Sequence, residues 1–242
     1  MAISITNLSG GNTPADGSDP RTFPAIWNAT ATDLEGVATD LDTLEATVGA
    51  HDLNSLSGVG ITTPVEGDLL TYNGTSWVNG VPAGSVLQVV STTKTDTFSA
   101  AVASGAFTSN VTGLEAAITP VSTSSKIRVE VSISGARSGN VPILAPRLMR
   151  DSTAIGVGAS ASSRTPASST TIVVHVSANN MATVGVDFLD SPSTTSEITY
   201  GVQLSGVSSV SETVYVNRSA TDTDSVIYMR TVSTITLTEV AG

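Results

Sequence analysis

An antiparallel β-sandwich, preceded by a β-hairpin and a short N-terminal coiled-coil helix, is the fold class this sequence predicts. Three observations predict it. The chain holds 34 Ser and 35 Thr against 10 aromatic residues in 242, and Thr favours strands while Ser favours turns. From Ser85 onward, strand-length alternations of apolar and polar residues recur between turn-forming clusters, with no helical run between them. Before that point, one stretch alone follows a seven-residue apolar period.

Residues 1–22 are rich in Gly, Asn, Ser, Pro and Asp after a short apolar start at Ile3, Ile5 and Leu8. Such a segment has too little to bury for a core of its own. It is expected to be either a floppy terminus or an anchoring arm that orders against a partner. The periodic stretch follows, predicting a helix over residues 23–50 with Pro24 in its first turn. Trp27, Leu34, Leu41 and Val48 fall at heptad position a, and Thr30, Val37 and Leu44 at d. A strip that narrow suits another helix like itself. Leu at a with branched Val at d leans toward three strands, so this seam predicts a homotrimer. Thr content and Gly36 make the helix weak on its own. Its flank (Asp33, Glu35, Asp40, Asp42, Glu45) carries no cation, so side-by-side copies repel there.

Residues 51–84 contain Leu69 to Tyr72 and Thr75 to Val78 on either side of Asn73-Gly74, a strong short-range hairpin signal. The hairpin is too small to stand alone, and its aromatics, Tyr72 and Trp77, require a partner surface. Val81-Pro82-Ala83-Gly84 reads as a hinge. In residues 85–242 the expected inward faces are Ile127/Val129/Val131/Ile133, Ile172/Val174/Val176, Val184/Val186/Phe188, Ile198/Tyr200/Val202/Leu204 and Ile235/Leu237. One apolar face per strand fits antiparallel pairing.

Charge and motifs narrow the function. Residues 1–84 carry 10 acidic groups and one basic group, net −9; the remainder carries 11 and 9, net −2. An acidic N-terminal third lacks the basic footprint of a nucleic-acid binder. There is no cysteine, so disulfides and thiolate metal sites are excluded. The start, MAISITNLSGG, shows no secretory signal, and no 18-residue apolar stretch predicts membrane insertion. His51 and His175 are far apart, and His175 alternates with valines as a strand residue. The Gly156-Val-Gly158 run lacks the third glycine and the helix of a dinucleotide site and reads as a turn. Asp222 and Asp224 imitate the opening of a calcium loop without its central Gly and closing Glu; a solvated loop is expected. Asp187 and Asp190 are the best carboxylate pair for glycan hydrolysis, but Asp190-Ser191-Pro192 reads as a turn start. No catalytic residue, cofactor or metal site is expected. Tyr215, Arg218, Tyr228 and Arg230 are expected either to pack at a trimer interface or, if exposed, to be the surface groups suited to gripping a ligand.

Two segments carry a resemblance. Asp52-Leu53, Leu56, Val59, then Gly67-Asp68, Leu70, Tyr72-Asn73-Gly74 and Trp77-Val78 resemble the neck modules of bacteriophage tail-fibre and related virion fibre proteins. Ile118 to Gly135, Leu148 to Gly158, Asp187 to Leu204, Thr213 to Ser219 and Val232 to Val240 resemble the C-terminal heads of such fibres. The resemblance implies a trimeric, jelly-roll-like head. It also implies a non-enzymatic structural protein of the virion, assembled in the host cytoplasm. Residues 1–22 would then dock on another virion protein, and the head would contact a host surface glycan or protein. A capsid-anchored head fibre or decoration protein is the alternative, and a polysaccharide depolymerase is less favoured.

Overall fold

The computed structural model describes residues 34–45, 53–65, 67–138, 143–172, 179–206 and 210–242. The chain divides into two units, Met1–Gly80 and Val81–Gly242. The structure is mostly β, with antiparallel sheets forming a β-sandwich in the second unit.

In the first unit, residues 34–45 form a helix, α1. Its threonines are accommodated by back-bonding, Thr39 Oγ1 to the Glu35 carbonyl and Thr43 Oγ1 to that of Thr39, both at 2.8 Å. The seam residues Leu34, Val37, Leu41 and Leu44 are all more than half exposed in the single chain. Trp27, Thr30 and Val48, like the arm 1–22, lie outside the described residues. Three short strands follow: β1 (Val59–Gly60), β2 (Leu69–Tyr72) and β3 (Trp77–Gly80). They are ordered β1-β3-β2, with β1 and β3 parallel and β2 and β3 antiparallel.

The hairpin is present, but its second strand starts two residues later than expected. The Asn73 side chain is the reason: its Oδ1 accepts the N–H groups of Thr75 and Ser76 at 3.0 and 2.9 Å. That side-chain turn, with Gly74 at φ +98°, holds residues 73–76 out of the ladder. Tyr72 then faces Trp77 with ring centroids 5.6 Å apart. Asn79 ties the strands to the preceding loop, exchanging hydrogen bonds with the Thr62 backbone and donating to Asp68. No described residue between 34 and 80 is buried.

The second unit stacks two antiparallel sheets. One contains β4 (Val86–Lys94), β5 (Phe98–Val102), β7 (Lys126–Arg137), β11 (Ala182–Asp190), β13 (Glu212–Val216) and β14 (Ser233–Val240). The other contains β6 (Glu115–Ile118), β8 (Ile143–Arg150), β9 (Thr153–Ile155), β10 (Thr171–Ile172) and β12 (Ile198–Gly206). Alternation places Ile127, Val129, Val131 and Ile133 in the core, facing Tyr200, Val202 and Leu204 from the opposite sheet. Ile235 and Leu237 join them, and so do Val184 and Val186. Phe188, expected on the same face, is half-buried and lies against Gly156, where a Cβ would meet its ring at 2.8 Å. Tyr200 is the one buried aromatic among the described residues, so the core is built of aliphatic side chains. Val174, Val176 and His175 lie outside the described residues, as do His51 and Asp52.

Long β7 organises the first sheet. Along one side it pairs with β11. Along the other it pairs with β14 over Lys126–Ser132 and with β13 over Gly135–Arg137. Strands β13 and β14 therefore run head to tail in one direction, interrupted by residues 217–232. Their outer neighbours β5 and β4 are likewise end to end, interrupted at Thr95–Thr97.

Candidate functional site

The interruption between β13 and β14 is the most elaborated surface feature among the described residues. Its two ends meet, so it is an Ω-loop, a compact excursion of a kind that often carries function. It leaves the sheet where Ser233 pairs with Lys94, the far end of β4 from Gly84.

Asn217 closes the loop. It is fully buried and sits at φ +59°, a left-handed conformation that asparagine tolerates better than most residues. Its Nδ2 donates to the carbonyls of Lys94 and Asp96, each at 2.9 Å, bridging the β4–β5 interruption. Its Oδ1 accepts the Ser233 hydroxyl at 2.7 Å. Its N–H donates to the Ser134 carbonyl at 2.8 Å, and its own carbonyl accepts the Thr231 N–H at 3.3 Å. One side chain thus joins three strand ends and both limbs of the loop.

Arg218 comes next, its guanidinium 4.5 Å above the Tyr215 ring. Nε and Nη2 donate to the carbonyls of Ser219 and Ala220, and Nη1 to Asp222 at 2.9 Å. Asp222 also receives Arg230 Nη2 at 2.6 Å, linking the outgoing limb to the returning one. Arg230 and Arg218 together hold the Asp222 carboxyl below the usual carboxylate range. Beyond this frame the loop presents an apolar crest: Val226 is 93% exposed, Ile227 58% and Met229 70%.

Of the four surface residues proposed from the sequence, Arg218 and Arg230 are brought together through Asp222, and Tyr215 lies under Arg218. Tyr228 belongs to the crest, half-buried, with its N–H bonded to the Ser225 carbonyl. The loop around Asp222 and Asp224 is exposed, as expected, and within it two arginines claim the Asp222 carboxylate. The i,i+4 spacing of Arg218 and Asp222 was the available signal. Asn217 was missed because the two carbonyls its amide binds, those of Lys94 and Asp96, lie more than 120 residues away.

The carboxylate pair Asp187/Asp190 is not assembled. A separation of three along a strand sends the two side chains to opposite faces. Asp187 lies outside, held by Arg128 through Nε at 3.0 Å and Nη2 at 2.8 Å, which lowers its pKa. Asp190 is more than a turn start. It ends β11 buried, accepting the Tyr200 hydroxyl at 2.7 Å and Arg150 Nη1 at 2.8 Å. Burial, with the Asp190 hydrogen bond, pushes the Tyr200 phenol well above its usual range. An open groove of about 470 Å³ crosses the outer face over Ser132, Gly185, Thr234 and Thr236. Its two carboxylates, Glu130 and Asp187, both pair with Arg128. Among the described residues no cluster of His, Asp or Glu is placed to hold a metal ion.

No family model matches this chain, and no curated protein matches it. Among solved structures, it is similar to a chain in "Structure of infectious bursal disease virus Gx strain", at 11% identity and a TM-score of 0.31. The match covers 72% of this chain and 41% of the other, so this chain spans less than half the length of that one. A likeness at that score carries no argument about function.

Proposed function

We propose that this chain is the subunit of a homotrimeric virion fibre, a tail fibre whose β-sandwich head contacts the host cell surface. Residues 1–22 anchor the fibre to another virion protein. The seam of α1 and the hairpin are closed by copies of the same chain. Loop 217–232 is the head's contact element.

One observation supports the assembly part of this reading. Among the described residues, 34–80 bury no hydrophobic side chain, yet they expose eleven large ones, from Leu34 to Trp77. A module of that size cannot build a core alone and needs oligomerisation or another staple. The heptad spacing of Leu34, Val37, Leu41 and Leu44 selects helices of the same sequence as the partner. The virion assignment rests on the resemblance of the neck and head sequences to phage fibre proteins. Tail fibre and capsid-anchored head fibre differ in what the arm binds, and antibody labelling of intact particles tells them apart.

Sedimentation equilibrium tests the core of the reading. A single species at about three times the 24.5 kDa chain mass is expected. A monodisperse monomer at micromolar concentration would refute it. Removal of residues 1–22 is expected to leave a folded trimer that no longer joins particles.

A further inference from the structure

In loop 217–232, Arg218 and Arg230 approach one point from opposite limbs. That point is occupied by the Asp222 carboxylate, 2.9 Å from Arg218 Nη1 and 2.6 Å from Arg230 Nη2. Arg218 is held in place by the Tyr215 ring beneath it and by two backbone carbonyls. The loop base is pinned by Asn217. Arg218 is therefore set in position independently of Asp222, while Arg230 is drawn to the same point from the returning limb. Planar guanidinium groups suit carboxylate and phosphate oxygens better than other ligands. Arg230 is about half exposed and the Asp222 side chain 30% exposed, so an anion from solvent has access to the same donors. Exposed ion pairs are weak, and an intramolecular one can be displaced.

We propose that Arg218 and Arg230 form an anion-binding site, filled in the resting chain by Asp222, that accepts in its place the carboxylate or phosphate of an acidic saccharide. The saccharide part rests on the reading of the head as a host-contact domain; the anion site does not. The depressed pKa of Asp222 fits a position that favours negative charge. The Tyr215 ring, already under Arg218, and the apolar crest beyond offer surfaces to the body of such a ligand.

Chemical rescue tests the proposal on the full-length protein. The Asp222→Ala variant is expected to lose hydrogen-exchange protection over residues 217–232. Galacturonate and glucose 6-phosphate are added separately, to distinguish a sugar carboxylate from a sugar phosphate. At least one is expected to restore protection, whereas glucose and chloride at matched ionic strength are not. By calorimetry the same anion should bind Asp222→Ala at least tenfold more tightly than the native chain, whose own carboxylate competes. The effect should vanish in the double variant Asp222→Ala, Arg230→Ala. If Asp222→Ala does not fold, the isosteric Asp222→Asn takes its place in the same measurements. No rescue, or equal rescue by chloride, overturns the site. Rescue that is intact while purified protein fails to adhere to host cells sustains the site and overturns the host-contact reading.

Discussion

Replacing Asn217 with alanine is expected to destabilise the head by about 4 kcal/mol, a magnitude that follows from its contacts. The side chain makes three hydrogen bonds, two donated to the Lys94 and Asp96 carbonyls and one accepted from Ser233. Each is worth about 1 kcal/mol net in a buried setting. Alanine at φ +59° adds about 1 kcal/mol of left-handed strain. Glycine loses the same hydrogen bonds without that strain, so Asn217→Gly should be milder by about 1 kcal/mol. Asn217→Asp keeps the acceptor for Ser233 but turns an anion toward two carbonyl oxygens, and should be at least as damaging as alanine. Urea unfolding followed by far-ultraviolet circular dichroism reads the series. With a slope of about 2 kcal/mol/M, alanine lowers the midpoint by about 2 M. A shift below about 0.3 M, or alanine milder than glycine, would refute the view that Asn217 pins four chain segments together.

Four further outcomes are expected. Glu212→Gln leaves Arg137, whose side chain is 1% exposed, without its anionic partner, and should cost about 3–5 kcal/mol in the same unfolding assay. Gly201→Ala places a Cβ 2.7 Å from Asn110 Nδ2 and should cost about 1–3 kcal/mol by overpacking. Leu41→Asp, on the exposed seam of α1, should shift sedimentation from trimer toward monomer while the circular dichroism of the head stays unchanged. Stability should also depend on pH at both extremes. Asp187 and Asp222 have folded pKa values below the ordinary aspartate value of 3.8, so their contribution is present above that value and lost as pH falls through the folded one. Tyr200 has its pKa raised above 10.0; its contribution is present below 10 and falls as the unfolded phenol ionises. Asp222→Asn should reduce the acid loss, and Tyr200→Phe the alkaline one, in unfolding midpoints measured across pH.

Strand identity was legible wherever one face is buried, because a period of two has a single consistent reading: β7 alternates from Ile127 to Ile133, β12 from Ile198 to Leu204, and β14 at Ile235 and Leu237. The hairpin was legible from Asn73-Gly74, but its register was not. Nothing in the local pattern told that the Asn73 side chain would take two backbone donors and delay β3 to Trp77. Of the four surface residues named from residue type alone, Tyr215, Arg218 and Arg230 belong to the candidate site. The convergence of the two arginines on Asp222 needs the fold of the loop.

The β class, the placement of the apolar faces and the apolar stripe of α1 all follow from periodicity within a few neighbouring residues. That β13 and β14 are two parts of one line along β7, with residues 217–232 thrown out between them, follows instead from how the strands pair in space. Hydrogen bonds from Asn217 to Lys94 and Asp96 span more than 120 positions, and no local pattern encodes a bond whose two ends lie that far apart. The same holds for Asp190, a turn signal in sequence and the buried acceptor of Tyr200 in space: burial decides which polar groups must find each other, and burial is a property of the packed sheets.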